Sequence, residues 1–203
     1  MLRRMLSSTL ARSLEWYAAS EPPAADPEVC ASRDVFEGRL DGLLRTLLRT
    51  GWTADAAALV VAVLGEVGNN CFDHNLGQWR DAAGCHLGWE TDVAASLFWV
   101  VDRGVGILET LRRADPALDT PQRAVEAAFA RALSGRTPER RGNGLKFVRA
   151  VVNGHESRAL LCRSQGGVAR FGGLASALAE VEERLAVVTV PGVAVVLAWR
   201  DER

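Results

Sequence analysis

The chain lacks most of the features that would commit it to a metal cluster, a membrane or a nucleic acid. Its four cysteines, Cys30, Cys71, Cys85 and Cys162, form no CxxC pair and no other metal-ligand spacing. They read as small buried or half-buried hydrophobes of a protein kept in a reducing cytoplasm. There is no excess of charge: 24 Lys and Arg against 25 Asp and Glu leave −1, with an isoelectric point near 6.3. Neither nucleic acid nor an anionic membrane has an electrostatic handle here. No run approaches the ~18 apolar residues of a membrane span. The amino-terminal MLRRMLSSTLARSL begins like an export signal, but Arg12 and Glu15 interrupt it and no long apolar run follows, so export is not expected. No internal repeat is visible, and histidines are few: His74, His86 and His155.

What is present suits a globular domain. The 203 residues, 48% of them hydrophobic, are enough for one domain with a sizeable core and room for an extra arm. The stretch Leu59–Asn75 reads as an amphipathic helix with polar residues that packing alone does not call for. Val60, Val61, Val63, Leu64 and Val67 recur at helical spacing. Glu66, Asn70 and His74 follow one another every fourth residue and share a face, with Asp73 at its edge. A carboxylate, an amide and an imidazole in a row suit a hydrated divalent cation and a water to be activated. A solvated helix face ending in a turn near Asn75-Leu76-Gly77 accounts for the same residues, and the pattern alone leaves both open.

Earlier in the chain, residues 2 to 19 carry the apolar stripe Leu2, Met5, Leu6, Leu10, Leu14 and Tyr17. That stripe suits a core helix or an arm that covers a partner or a second copy of the chain. Glu21 to Pro27 is a proline-rich linker. A second helix is expected from Asp34 to Thr50, stopped by Gly51, and Thr53 should cap the central helix from Ala54. Beyond the loop at 77–83, strands are expected at 85–90 and 95–101. The second of these runs into Asp102-Arg-Gly104-Val-Gly106-Ile107, an acid at a strand end followed by glycines that let a backbone pass close to something.

Residues 108–141 are charged and poor in strand formers, with helices expected at 108–113 and 121–133. Arg136, Arg140 and Arg141 make a basic cluster that suits a solvated loop or a lid meeting phosphate oxygens. Gly142-Asn143-Gly144-Leu145 opens an apolar helix that carries Lys146, and backbone N–H groups at such a start form an anion site. Strands at 157–164, 168–171, 186–190 and 193–200, with a helix at 174–185, complete the expected elements.

Three signals thus stand in order: E-x-x-x-N-x-x-x-H on a helix, D-x-G-x-G-I after a strand, and G-N-G-L opening a helix. Together they resemble the N box and the two glycine boxes of the GHKL ATPase superfamily, the histidine-kinase-like ATPases that include gyrase and heat-shock chaperones. The resemblance covers Thr53 to Arg200 and implies an α/β architecture, the Bergerat fold: an α+β sandwich with a mixed sheet and helices on one face. Here residues 1–50 would form an amino-terminal helical extension and residues 51–203 the ATP-binding domain.

By the same resemblance, Asn70 coordinates the Mg²⁺ that bridges the phosphates of ATP, with His74 beside it. Glu66 acts as general base or orients a water. Asp102 accepts the adenine amino hydrogen, and Gly104, Gly106 and Ile107 shape the adenine pocket. Gly142, Asn143, Gly144 and Leu145 wrap the phosphates. Many sensor kinases carry a phosphate-touching lysine where this chain has Asp73, so the positive charge must come from Lys146, Arg140 or Arg141. A sensor kinase also needs a phosphoacceptor histidine ahead of the N box, and none is there.

The nearest likeness is to the anti-sigma-factor serine/threonine kinases, bacterial cytoplasmic regulators, and to stand-alone histidine-kinase-like ATP-binding proteins. It implies a kinase acting on a protein partner, or a nucleotide-gated binding module with little turnover, able to pair with a second copy, and with neither nucleic acid nor membrane as partner.

Overall fold

The computed structural model describes residues 7–21, 28–75, 77–92, 94–130 and 143–200. Six strands form one open sheet in the order β1-β2-β3-β6-β4-β5. The strands are β1 (Val29–Cys30), β2 (Cys85–Glu90), β3 (Ser96–Asp102), β4 (Arg158–Ser164), β5 (Gly167–Gly172) and β6 (Val193–Trp199). Every pairing is antiparallel, where the sequence suggested a mixed sheet. The helices are α1 (Ser8–Ala18), α2 (Arg33–Arg49), α3 (Ala54–Asn75), α4 (Ile107–Arg112), α5 (Pro121–Ala130), α6 (Gly144–Asn153) and α7 (Ala179–Ala186). The α/β sandwich is thus as expected.

Alternation along the central strands decides what each face meets. Phe98 and Val100 of β3, Val195, Leu197 and Trp199 of β6, and Leu160 and Cys162 of β4 pack with α2, α3, α5 and α6 in one core. Trp99 and Val101, Ala194, Val196 and Ala198, and Ala159 and Leu161 face the other way. There they meet Leu10, Leu14 and Tyr17 of α1 and Val181 and Leu185 of α7. Helices therefore lie on both faces of the sheet, not on one. This is why β3 is buried along its whole length and reads as an unbroken apolar run.

Local signals explain the helix ends. Ser7, Ser32 and Thr53 accept hydrogen bonds from the first turns of α1, α2 and α3. Gly51, with φ +92°, ends α2. By length and composition α3 is apolar enough to cross a membrane, although no uninterrupted apolar run suggests it. Here it packs between α2, α6 and β3 as the core helix of the domain.

The expected strand at 186–190 does not form. α7 runs to Ala186, and the guanidinium of Arg163 takes the carbonyls of Ala186 and Val188 at 2.8 and 3.2 Å. The two sides of β6 are already paired with β3 and β4, so residues 186–190 have no place beside it. Conversely, β1 is only two residues long and has no sequence signal of its own.

The sheet edges are dressed by side chains. Gln122 donates to the carbonyl of Val168 at 3.0 Å and accepts from its N–H at 2.9 Å. Asn153 accepts from the N–H of Gly172 at 3.2 Å. On the β1 side, Arg39 donates to the Leu87 carbonyl at 2.7 Å.

Buried arginine chemistry fixes α1 to its face of the sheet. Arg103 follows Asp102 and points to the opposite side, fully buried. It donates to both carboxylate oxygens of Asp81 and to the carbonyls of Trp16 and Ala19 at the end of α1. Arg80 adds bonds to the carbonyls of Tyr17 and Ala19 at 3.1 and 3.2 Å. The last turn of α1 has no basic residue of its own, so these two cations supply the positive charge that a helix C-terminus favours. Ser13 of α1 accepts from Trp99 Nε1 at 3.0 Å and bonds His86 Nδ1 at 3.1 Å.

Candidate functional site

Between α3, the sheet, α4, α5 and the start of α6 lies a cavity of about 500 Å³, a size suited to a nucleotide-sized ligand. The periodicity of α3 sends Val60, Val63, Leu64 and Val67 into the core and turns Glu66, Asn70 and His74 to the cavity. The three polar residues therefore do share one wall.

The floor is set by β3. Alternation places Asp102 on the cavity side, fully buried, while Arg103 goes to the other face. Asp102 Oδ1 accepts from the Gly104 N–H at 2.7 Å and from Asn75 Nδ2 at 3.3 Å. Burial pushes its carboxyl up to about 6, with the Gly104 amide pulling the other way. At neutral pH it remains mainly an ionised acceptor.

The turn after Asp102 is built by close approach. Gly104 does not line the cavity. It lies behind Asn75, whose amide occupies the space a Cβ would need. Asn75 in turn accepts from the Val105 N–H at 3.1 Å and donates to the Cys71 carbonyl at 2.9 Å. Gly106, at φ +86°, takes a conformation that side-chain-bearing residues avoid. It and Ile107 line the cavity, and Ser164 Oγ receives the Ile107 N–H at 3.0 Å.

At the other end, Asn143, Gly144 and Leu145 reach the wall where α6 begins. A Cβ on Gly144 would lie 2.2 Å from Glu66 Oε2, so the start of α6 and the Glu66 carboxylate meet. Lys146 is not on the wall among the described residues. Arg136, Arg140, Arg141 and Gly142 lie outside the described residues.

Asp73 lines the cavity but is not free for a ligand, because it is paired with Arg33. The first turn of α2 thus contributes to the site, which sequence reading missed together with Asn75 and Ser164. Asn75 was hidden by the turn signal Asn-Leu-Gly, and Ser164 by its place at the end of an apolar strand. Much of the remaining wall is apolar, from Val100, Leu111, Phe129, Val193 and Val195.

Two thiols, Cys71 and Cys162, also reach the cavity. Hydrogen bonding with Cys85 is the largest influence on the Cys71 thiol and lowers it, but burial and the neighbouring Asp102 carboxylate together outweigh it and leave the thiol at about 11. Burial pushes Cys162 further up. Both stay protonated and are poor nucleophiles. Burial lowers His74, so its imidazole is neutral at physiological pH. All four cysteines are free and buried, as expected.

No group of three or more His, Cys, Asp or Glu among the described residues could cage a metal ion by itself. A Mg²⁺ that keeps its waters and takes one or two protein oxygens together with phosphate oxygens does not need such a cage. The neighbouring amide and carboxylate of Asn70 and Glu66 fit that pattern. No family model matches this chain, and no curated protein matches it.

Proposed function

We propose that this cavity binds ATP with Mg²⁺, in the manner of the GHKL ATPases, and that the chain is a regulatory kinase that phosphorylates a protein partner on serine or threonine. One observation carries the reading: a single wall runs from the buried acceptor Asp102, past His74 and Asn70, to the contact between Glu66 and Gly144. An adenine amino group needs an acceptor in an apolar slot. A polyphosphate needs unhindered N–H groups and a metal ligand at a distance from that slot. The order of these residues along the wall supports the reading.

In this reading Asn70 holds the Mg²⁺, with Glu66 beside it, and the metal neutralises phosphate charge. Glu66 is exposed at the mouth, where it can orient or deprotonate an incoming hydroxyl. The adenine rests among Val100, Phe129 and Val195. The start of α6 presents its backbone to the phosphates. The domain assignment, residues 51–203 as the ATP-binding unit and 1–50 as an extension, belongs to the same proposal, as does a cytoplasmic location.

A second reading is a nucleotide-gated binding module. It is favoured by the Arg33–Asp73 ion pair, which ties a carboxylate, not a lysine, into the cavity wall. Calorimetry tests the shared part: ATP with Mg²⁺, ATP with EDTA, then the same titrations on Asn70→Ala and Asp102→Asn. Mg²⁺-dependent binding that both substitutions weaken is the expected result, and no binding at millimolar ATP removes both readings. Label transfer to co-encoded proteins then separates them. In a kinase, Glu66→Ala stops transfer while leaving ATP bound.

A further inference from the structure

The cavity wall carries three carboxylates, Glu66, Asp73 and Asp102, and among its described residues a single cation, Arg33. Lys146, the one lysine in the sequence, is not on that wall. A polyphosphate entering such a cavity meets repulsion from Glu66 and Asp73 unless a positive charge is held against them.

Arg33 is held there deliberately. It is the first residue of α2, directly after the capping Ser32, so its exit from the backbone is fixed. The side chain crosses to α3. Nη1 donates to Asn69 Oδ1 at 2.7 Å and Nη2 donates to Asp73. The guanidinium carbon lies 5.9 Å from the centre of the Phe72 ring. The group is clamped to the helix that carries Asn70 and His74, yet its side chain is 40% exposed, so it faces the open side of the cavity. A guanidinium has more N–H donors than these two bonds engage. Asp73 neutralises it only in part, and the remaining donors form a planar fork of the kind that receives phosphate oxygens.

The geometry points to Arg33 as the residue that receives the polyphosphate of the nucleotide and so distinguishes phosphorylated from unphosphorylated ligands. This inference rests on the adenine-nucleotide reading above. Arg33 supplies, from a different helix, the cation that the N-box helix itself lacks.

The test is calorimetry on the full chain with ATP–Mg²⁺ and with adenosine, for wild type, Arg33→Gln, Arg33→Lys and Asp73→Asn, with thermal unfolding run on each. Arg33→Gln is expected to weaken ATP–Mg²⁺ about ten- to thirtyfold, the loss of a charge-assisted hydrogen bond, and to leave adenosine within about twofold. Arg33→Lys should recover part of the loss, keeping the charge without the fork. Asp73→Asn should bind ATP–Mg²⁺ at least as tightly as wild type. Unchanged ATP affinity in a folded Arg33→Gln protein overturns the inference. Equal losses for ATP and adenosine overturn it too, since Arg33 would then only pin α2 to α3. A loss in Asp73→Asn that matches Arg33→Gln does the same. A wild type that binds neither ligand instead removes the adenine-nucleotide reading itself, an outcome distinct from a wild type that binds ATP and ignores Arg33.

Discussion

The side-chain amide of Asn75 lies so close to Gly104 that a Cβ at residue 104 would stand 2.0 Å from Asn75 Oδ1. The end of α3 and the turn after β3 are therefore one unit, joined through Asn75 to Asp102 and to the Val105 N–H. Asn75→Leu removes those bonds inside a buried site. It is expected to cost about 2–3 kcal/mol of stability, read from urea unfolding. Asp102 also loses a hydrogen-bond donor, so its carboxyl should titrate higher than in wild type by carbon-detected NMR. An unchanged Asp102 titration would separate Asn75 from the acceptor's chemistry.

Asp102 itself sets a pH dependence. Its carboxyl rises from 3.8 in the unfolded chain to about 6 in the fold, so the folded state holds the proton more tightly. The stability this contributes is complete below pH 4 and is lost as pH rises through about 6. Asp102→Asn should flatten that slope. It should also abolish adenine recognition. In wild type, adenosine affinity should fall as the pH drops below about 6, because the protonated acid is a poorer acceptor. A binding curve flat from pH 5 to pH 8 would take Asp102 out of ligand recognition.

Gly144 tests the meeting of the start of α6 with Glu66. A Cβ there would lie 2.2 Å from Glu66 Oε2, but the obstacle is the end of a flexible, exposed side chain, which can swing away. Gly144→Ala should therefore keep stability within about 1 kcal/mol of wild type. Phosphoryl transfer should drop at least tenfold, since Glu66 is displaced from the mouth. Normal transfer by this variant would show that the position of Glu66 is not critical.

Arg103→Met probes the opposite face. It leaves the carboxylate of Asp81 without its main partner and the Trp16 carbonyl without a cation, while Arg80 still reaches those of Tyr17 and Ala19. A loss on the order of 3 kcal/mol is expected, with protease cleavage in residues 7–21 appearing well before global unfolding. Uniform resistance to cleavage would mean that α1 is held without Arg103, by Arg80, Ser13 and the apolar packing of Leu10, Trp16 and Tyr17.

Much of this site was legible because it rests on local patterns. The every-fourth spacing of Glu66, Asn70 and His74 follows from helix geometry, and Asp102 lies where an apolar strand run ends. What stayed hidden depends on tertiary register. Arg33 looks like an ordinary charge at the start of a helix, and only the packing of α2 on α3 brings it to Asp73. β1 exists because Val29 and Cys30 meet His86 and Cys85, a pairing that two residues cannot announce. Residues 186–190 carry strong strand propensity and yet form no strand, since propensity without a free neighbour has nothing to pair with. Helices on the second face were missed for a related reason: the apolar stripe of α1 was visible, but not the side of the sheet it would cover.

The side chains along the sheet edges restrict how this protein can meet others. An incoming strand at β5 would have to displace Gln122 from both backbone groups of Val168 and Asn153 from Gly172. At the far side, among the described residues, β1 covers only Cys85 and His86 of β2, and Arg39 takes the Leu87 carbonyl next to them. Templated strand recruitment, whether by a second copy, a peptide or a misfolded neighbour, is therefore disfavoured at the β5 border of the sheet. On the β5 side, recognition is left to side-chain surfaces, where a partner's sequence can be read and not merely its backbone.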